Sequence, residues 1–480
     1  MVGINLHRID NKILLRYFIP ISVIIAIVCS VFTAYIWFTL PVVLAIFLLI
    51  VYGVRFYLFF VIVSLLTLVG EVNPSLRLVV QIIAFGGLSI LFLKKYGFVF
   101  KKYPAIPSLL LNFIAFFYSV IILSTLFSRY PLTGFIQTIK ISIFFYLMYL
   151  LYSFIKSLKD INLYIISLFV ASVIMALSTF INFVDSGFNL ENLATAHLRT
   201  GGLLGNVNAI GGYYAVVIPI AVTFLFYEKL ESKRIYLAGL ILVFSVGMLI
   251  VVSRSAIISV IVSLLFILFY LNKKYFKVLI GCLFILFLLY LFVDPLNEFI
   301  SVVLRVERGL TRRDYLWQIS TGIIKDNFWF GVGPGSWGKE MFNYFPVLLN
   351  SFKGKLFIQL YEQTGGFNNS HNFYLVFFSD MGIFGLITAF FFPFVFFRIG
   401  FQTIKKAKVF NRNLFLLAVG ITAVGAGMFI RGFFEGISLI TIGRITVDIP
   451  FWTLFIILIY LYNNISYLNP SLEGENHIDI

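Results

Sequence analysis

Fourteen apolar stretches govern what this chain can fold into. They cover 18–35, 38–53, 55–69, 76–93, 109–127, 134–155, 161–183, 209–227, 235–252, 255–271, 276–293, 372–397, 413–430 and 447–463. A helix needs roughly 20 such residues to cross the hydrocarbon of a bilayer. Lipid offers no partner for backbone N–H and C=O groups, so a spanning segment must satisfy them itself. The expectation is an all-α, polytopic transmembrane helical bundle of about 14 spans, the region 18–69 being open to other divisions. Composition agrees: 61% of the 480 residues are hydrophobic and 12% are charged, whereas soluble domains lie nearer half apolar and one quarter charged. The basic start, Arg8, Lys12 and Arg16, leads into apolar sequence that continues well past residue 50. A signal peptide has a short apolar core and a small-residue cleavage site, so these are read as uncleaved spans. Cys29 and Cys282 both lie in apolar runs and give no disulfide framework or metal-ligand spacing.

Loop charges orient the spans, because short cytoplasmic loops collect Lys and Arg. With the N-terminus inside, the inner loops hold Lys94, Lys95, Lys101 and Lys102; Lys156 and Lys159; Lys229, Lys233 and Arg234; Lys273, Lys274 and Lys277; and Arg398, Lys405, Lys406, Lys408 and Arg412. The inner basic residues are mostly Lys and the outer ones mostly Arg. The inner excess is a topology signal. The outer Arg set needs another reason, and Arg suits bidentate contacts with phosphate. Nothing about basic residues on this outer face calls for nucleic acid. The chain then divides into eleven spans over 1–293, a large external loop over 294–371, three spans over 372–463 and a cytoplasmic tail over 464–480.

The long loop carries Arg305, Arg308, Arg312, Arg313, Trp317, Trp329 and Trp337, with helical periodicity over 311–326 and turn chemistry in Gly331-Val332-Gly333-Pro334-Gly335. Long loops are functional or disordered; the aromatics favour an ordered cap against the membrane surface. The loop ends at Ser370-His371-Asn372, a titratable imidazole at the seam between water and lipid. Four shorter outer features are candidates to converge on it. They are Arg199 with Gly205-Asn206-Val207-Asn208, then Ser253-Arg254-Ser255, then Arg431 with Glu435, and Arg444. Each has a plainer reading. Arg254 can snorkel to the interface, Arg313 can solvate a helix face, and Arg431 can pair with Glu435 one turn later. The glycines can simply make turns, and His371 can cap a helix.

His371-Asn372, nine residues, Gly382, two residues and Gly385 resemble the signature of the O-antigen ligase and polysaccharide polymerase family. Arg313-x3-Trp317 before Gly331-Val332-Gly333-Pro334-Gly335, Ser253-Arg254 and Gly205-Asn206-Val207-Asn208 are similar to other segments of that family. The likeness covers residues 200–390, and the first 190 residues match only as a series of spans. It implies a GT-C-like glycosyltransferase of 12 to 14 transmembrane helices in the bacterial inner membrane. The implied enzyme is metal-independent, without a cofactor, and acts on the periplasmic face. The implied donor is a glycan on undecaprenyl pyrophosphate. The implied acceptor hydroxyl belongs to a lipid A–core sugar in ligases and to another lipid-linked glycan in polymerases.

The residue types fit that chemistry. A sugar hydroxyl is a poor nucleophile until a base such as His371 takes its proton, and such assistance is worth roughly 10²–10⁴-fold. The departing pyrophosphate gains negative charge as its bond to C1 breaks. Arg254 and Arg313 are placed to hold that charge, with Arg199 and Arg431 as weaker candidates. Asn372 is expected to orient His371 or the acceptor, and Ser253, Asn208 and Trp317 to contact substrate. A direct displacement inverts the anomeric centre. Three other classes compete. A lipid-linked glycan flippase predicts internal repeats and mid-membrane charges, neither of which is evident. A metal-dependent membrane glycosyltransferase predicts an acidic first outer loop, and residues 35–38 hold no carboxylate. A sensor or scaffold predicts a larger polar domain than the tail provides.

Overall fold

The computed structural model describes residues 53–67, 74–185, 187, 202–294, 297, 313–350, 354–359, 369–443 and 445–467. Helices α1 (Val54–Thr67), α2 (Pro74–Tyr96), α3 (Ser108–Phe127), α4 (Pro131–Phe154) and α5 (Leu158–Asp185) come first. After them run α6 (Val207–Tyr227), α7 (Glu231–Val251), α8 (Arg254–Leu271) and α9 (Lys273–Phe292). Helices α10 (Arg313–Asp326) and α11 (Trp337–Glu340) lie between α9 and α12 in the chain, and α12 (Phe373–Phe410), α13 (Arg412–Arg431) and α14 (Ile449–Asn464) complete the bundle. No strand occurs among the described residues.

Nine of these helices are long and apolar enough to cross a membrane, and α1 and α14 are shorter apolar helices. The expected spans 18–35 and 38–53 lie outside the described residues. The other twelve coincide with α1–α9 and α12–α14. The span expected at 372–397 lies within a longer helix that runs on to Phe410 and is broken inside.

Short polar residues start several helices where the sequence turns. Asn206, Asn272 and Asn411 each cap a helix by accepting two backbone N–H bonds, which satisfies donors that have no partner within the helix. Helix α13 is the centre of the bundle and packs on α6, α8 and α12. Its small residues permit this. A Cβ at Gly427 would overlap the Ser259 carbonyl of α8, so only glycine lets the two backbones approach. Aromatic rings fill the space between α12, α13 and α14. Phe392 stacks on Trp452 with centroids 5.5 Å apart, and Phe396 meets Phe429 at 5.5 Å and Phe455 at 5.0 Å. Helix α9 has no buried residue, which for an apolar helix means a surface facing lipid.

Around α10 and α11 a small cap has its own core. Leu316, Ile319, Ile323, Val332, Trp337, Met341, Leu348 and Phe357 are buried together. Trp337 is fully buried, and its indole N–H donates to Ser320 Oγ at 2.9 Å. It is therefore a core residue of the cap and not an anchor on the membrane surface, whereas Trp329 is exposed.

Helix α12 breaks at Gly382, where φ is 66° and ψ is −160°, a region essentially confined to glycine. The break frees main-chain groups, and the glycine-rich turn takes them up. Val332 N–H donates to the Ser379 carbonyl at 3.0 Å, Gly333 N–H to the Asp380 carbonyl at 2.8 Å, and Ile383 N–H to the Phe328 carbonyl at 2.8 Å. The Asp380 carboxylate accepts from Gly335 N–H at 2.8 Å and Trp337 N–H at 3.1 Å. A Cβ at Gly382 would overlap the Trp329 carbonyl, and one at Gly331 would overlap Asp380. The two glycines let the cap and the membrane helix touch backbone to backbone.

Candidate functional site

His371 stands at the foot of α12. Asn369 Oδ1 accepts its backbone N–H at 2.9 Å, and the residue has φ of 51°, a left-handed conformation uncommon outside glycine. Asn372 accepts Leu375 N–H at 3.0 Å and so caps α12. Phe373 N–H donates to the Gly432 carbonyl at 2.8 Å, which ties this turn to the end of α13. Trp317 of α10 donates its indole N–H to the Ser370 carbonyl at 3.1 Å. The imidazole is thus positioned from three sides.

Its ring partner is Glu435. His371 Nδ1 lies 2.8 Å from Glu435 Oε1, and Arg313 Nη2 lies 3.1 Å from Glu435 Oε2. The Glu435 side chain is 1% exposed and that of His371 29%. Burial by itself raises the Glu435 carboxyl. The charge and hydrogen bond of His371, then Arg313 and Arg431, outweigh burial and hold it at about 2, below its ordinary 4.5. An ionised carboxylate only accepts, so Nδ1 carries the proton. In a neutral ring Nε2 then bears the lone pair, as in a carboxylate-oriented base.

Arg254 approaches from α8. The chain leaves α7 through Val252, which has φ of 47°, passes the buried Ser253, and starts α8 at Arg254. Ser253 packs against Gly211 of α6, and its Oγ lies 3.4 Å from Ser255 Oγ. Arg254 is partly buried and close enough to Arg313 for their positive charges to repel. An anion between them relieves that repulsion.

Arg431 does something other than expected. The sequence pairs it with Glu435 one turn on, but α13 ends at Arg431 and Glu435 lies beyond the helix. Nη1 donates to the Ile437 carbonyl at 3.0 Å and Nη2 to the Asn208 carbonyl at 2.6 Å. The residue is 1% exposed. Its charge still reaches Glu435, while the direct contacts of that carboxylate are His371 and Arg313. Asn208 enters through its backbone carbonyl.

The structure therefore brings together His371, Asn372, Arg254, Arg313, Trp317, Ser253, Asn208 and Arg431. Arg199, Arg305, Arg308, Arg312 and Arg444 lie outside the described residues. Glu435 was legible only as a partner for Arg431. The available signal was its isolation, since it is the single carboxylate between Asp380 and Asp448. Among the described residues no three His, Cys, Asp or Glu side chains are grouped to hold a metal ion.

Residues 239–390 match the family model described as O-antigen ligase. Over that segment the chain is similar to O-antigen ligases. It includes Arg254, Arg313, Trp317, His371 and both glycines of the α12 motif, and stops before Arg431 and Glu435. No curated protein matches the chain.

Proposed function

We propose that this chain, carrying the O-antigen ligase segment, is a membrane glycosyltransferase that moves a glycan from undecaprenyl pyrophosphate to a sugar hydroxyl. The observation that carries the reading is the bridge His371–Glu435–Arg313 with Arg254 beside it. Glu435 sets the His371 tautomer. Nε2 takes the proton of the acceptor hydroxyl as its oxygen bonds to the anomeric carbon. The C1–O bond to pyrophosphate breaks on the opposite face, the anomeric centre inverts, and the electron pair leaves on a phosphate oxygen. Arg313 spends one contact on Glu435, and a guanidinium has five N–H donors. With Arg254 it supplies positive charge where negative charge develops, in a partly dehydrated site where such stabilisation is strongest. Asn372 and Trp317 position the base, and Arg431, Ser253 and Asn208 hold the surrounding helices.

The acceptor is a lipid A–core sugar in the ligase reading and a second lipid-linked glycan in the polymerase reading. Purified protein in proteoliposomes, given lipid-linked glycan with and without lipid A–core, tests both. Product only with lipid A–core means ligase, and a ladder without it means polymerase. Translocation of the lipid-linked glycan with no product would replace both by a flippase. Activity in excess EDTA checks metal independence. His371→Ala is expected to abolish transfer while retaining binding of the lipid pyrophosphate; near-normal transfer by that variant removes the base assignment.

A further inference from the structure

Helix α10 has two faces of different chemistry. Leu316, Ile319, Ser320 and Ile323 turn into the cap core. Asp314, Trp317, Gln318, Thr321 and Lys325 recur at three- and four-residue spacing along the other side. They line a cleft of about 680 Å³ that Gly322, Asp326 and Tyr344 complete. Tyr344 packs on this face and gives the cleft one edge. Tyr344, from the 3-10 helix Met341–Leu348, lies across Gly322, where a Cβ would come 2.7 Å from the phenol ring. Its hydroxyl donates to Asp326 Oδ2 at 3.0 Å, which fixes the ring in place.

Two rings and a strip of hydroxyl, amide, carboxylate and ammonium groups therefore line one cleft. That is what a pyranose needs, since a sugar ring has an apolar C–H face and a rim of hydroxyls. Aromatic surfaces with a few placed polar groups are the usual lining of small-molecule sites, which span roughly 300–1,000 Å³. The cleft also has a direction. Trp317 lines it and donates to the Ser370 carbonyl, the residue before His371. One turn earlier on the same helix, Arg313 meets Glu435.

We propose that this cleft is a glycan subsite that holds successive pyranose units of a chain whose reacting end lies at His371. The inference takes its ligand class from the transferase reading, and the chain belongs either to the donor or to the acceptor. Its test does not need turnover. The full chain in nanodiscs is probed by saturation-transfer NMR with the oligosaccharide released by mild acid from the host cell's own surface polysaccharide. The unmodified protein is expected to transfer saturation to the sugar protons. Thr321→Trp, which fills the cleft, and Gln318→Ala, which removes a polar contact, are expected to lose most of that transfer. Both positions are exposed, and an unchanged melting profile confirms that the variants fold. Absence of saturation transfer with the unmodified protein, or equal transfer with Thr321→Trp, overturns the proposal. In the turnover assay Gln318→Ala is expected to raise one KM by about tenfold, as for the loss of one hydrogen bond to the ligand. A rise for the donor identifies the donor glycan and a rise for the acceptor identifies the acceptor glycan. No rise in either overturns the subsite. Sugar binding without any transfer would sink the proposed enzyme activity and leave the cleft.

Discussion

Glu435→Gln isolates the group on which the site's geometry turns. The substitution keeps the shape and removes the charge that His371 and Arg313 share. A carboxyl held at about 2 instead of 4.5 is stabilised in its ionised form by about 3 kcal/mol. The folded pKa lies below the ordinary one, so this contribution is present above pH 4.5 and is lost as pH falls through about 2. The variant is expected to be less stable than the parent at neutral pH by up to about that amount, since the charge of His371 supplies part of the shift and a neutral ring supplies less. The two melting midpoints are expected to converge as pH drops from 4.5 toward 2. The catalytic effect follows from the tautomer. An amide can turn its N–H toward Nδ1, which moves the ring proton to Nε2 and removes the lone pair from the acceptor side. Loss of a positioned base costs about 10²–10⁴-fold in kcat, and donor binding is expected to persist through Arg254 and Arg313. Turnover in proteoliposomes and melting against pH read the two effects separately. Transfer within tenfold of the parent, or melting curves that stay parallel down to pH 2, would refute the reasoning.

Three further substitutions probe the scaffold and the phosphate role. Gly382→Ala places a Cβ against the Trp329 carbonyl at φ of 66° and is expected to cost at least about 3 kcal/mol or prevent folding; a variant as thermostable as the parent would show that the break is not required. Arg431→Lys cannot reach both the Ile437 and Asn208 carbonyls, so a loss of about 1–3 kcal/mol is expected, with KM for the donor in the surviving protein unchanged; a donor-specific defect would return Arg431 to the substrate site. Arg254→Ala is expected to raise KM for the lipid-linked donor and lower kcat, with Arg254→Lys retaining part of both; unchanged donor kinetics in the Ala variant would count against the phosphate role.

Much of the bundle was legible because apolar length is a local property. Twelve expected spans coincide with helices, and three Asn caps start helices where the sequence turns polar. The site was legible in its cations and its imidazole. Its carboxylate was not, because Glu435 is 64 residues from His371 and 122 from Arg313. The i,i+4 rule that linked it to Arg431 requires one continuous helix, and α13 stops at Arg431. The glycine turn was readable as a turn. Its partners were not, because they are carbonyls of Ser379 and Asp380 released by a break in a helix that hydropathy shows as unbroken.

The Arg431 contacts carry an asymmetry in what substitution can do. Both of its acceptors are main-chain carbonyls, at Asn208 and Ile437, and every amino acid supplies one. A change of side chain at 208 or 437 therefore leaves both acceptors of the join between α6 and the segment after α13 in place. The guanidinium has no substitute that reaches both. A library randomised at these three positions and selected for folded protein should tolerate many residues at 208 and apolar ones at 437, where Ile437 packs on the core, while keeping arginine at 431.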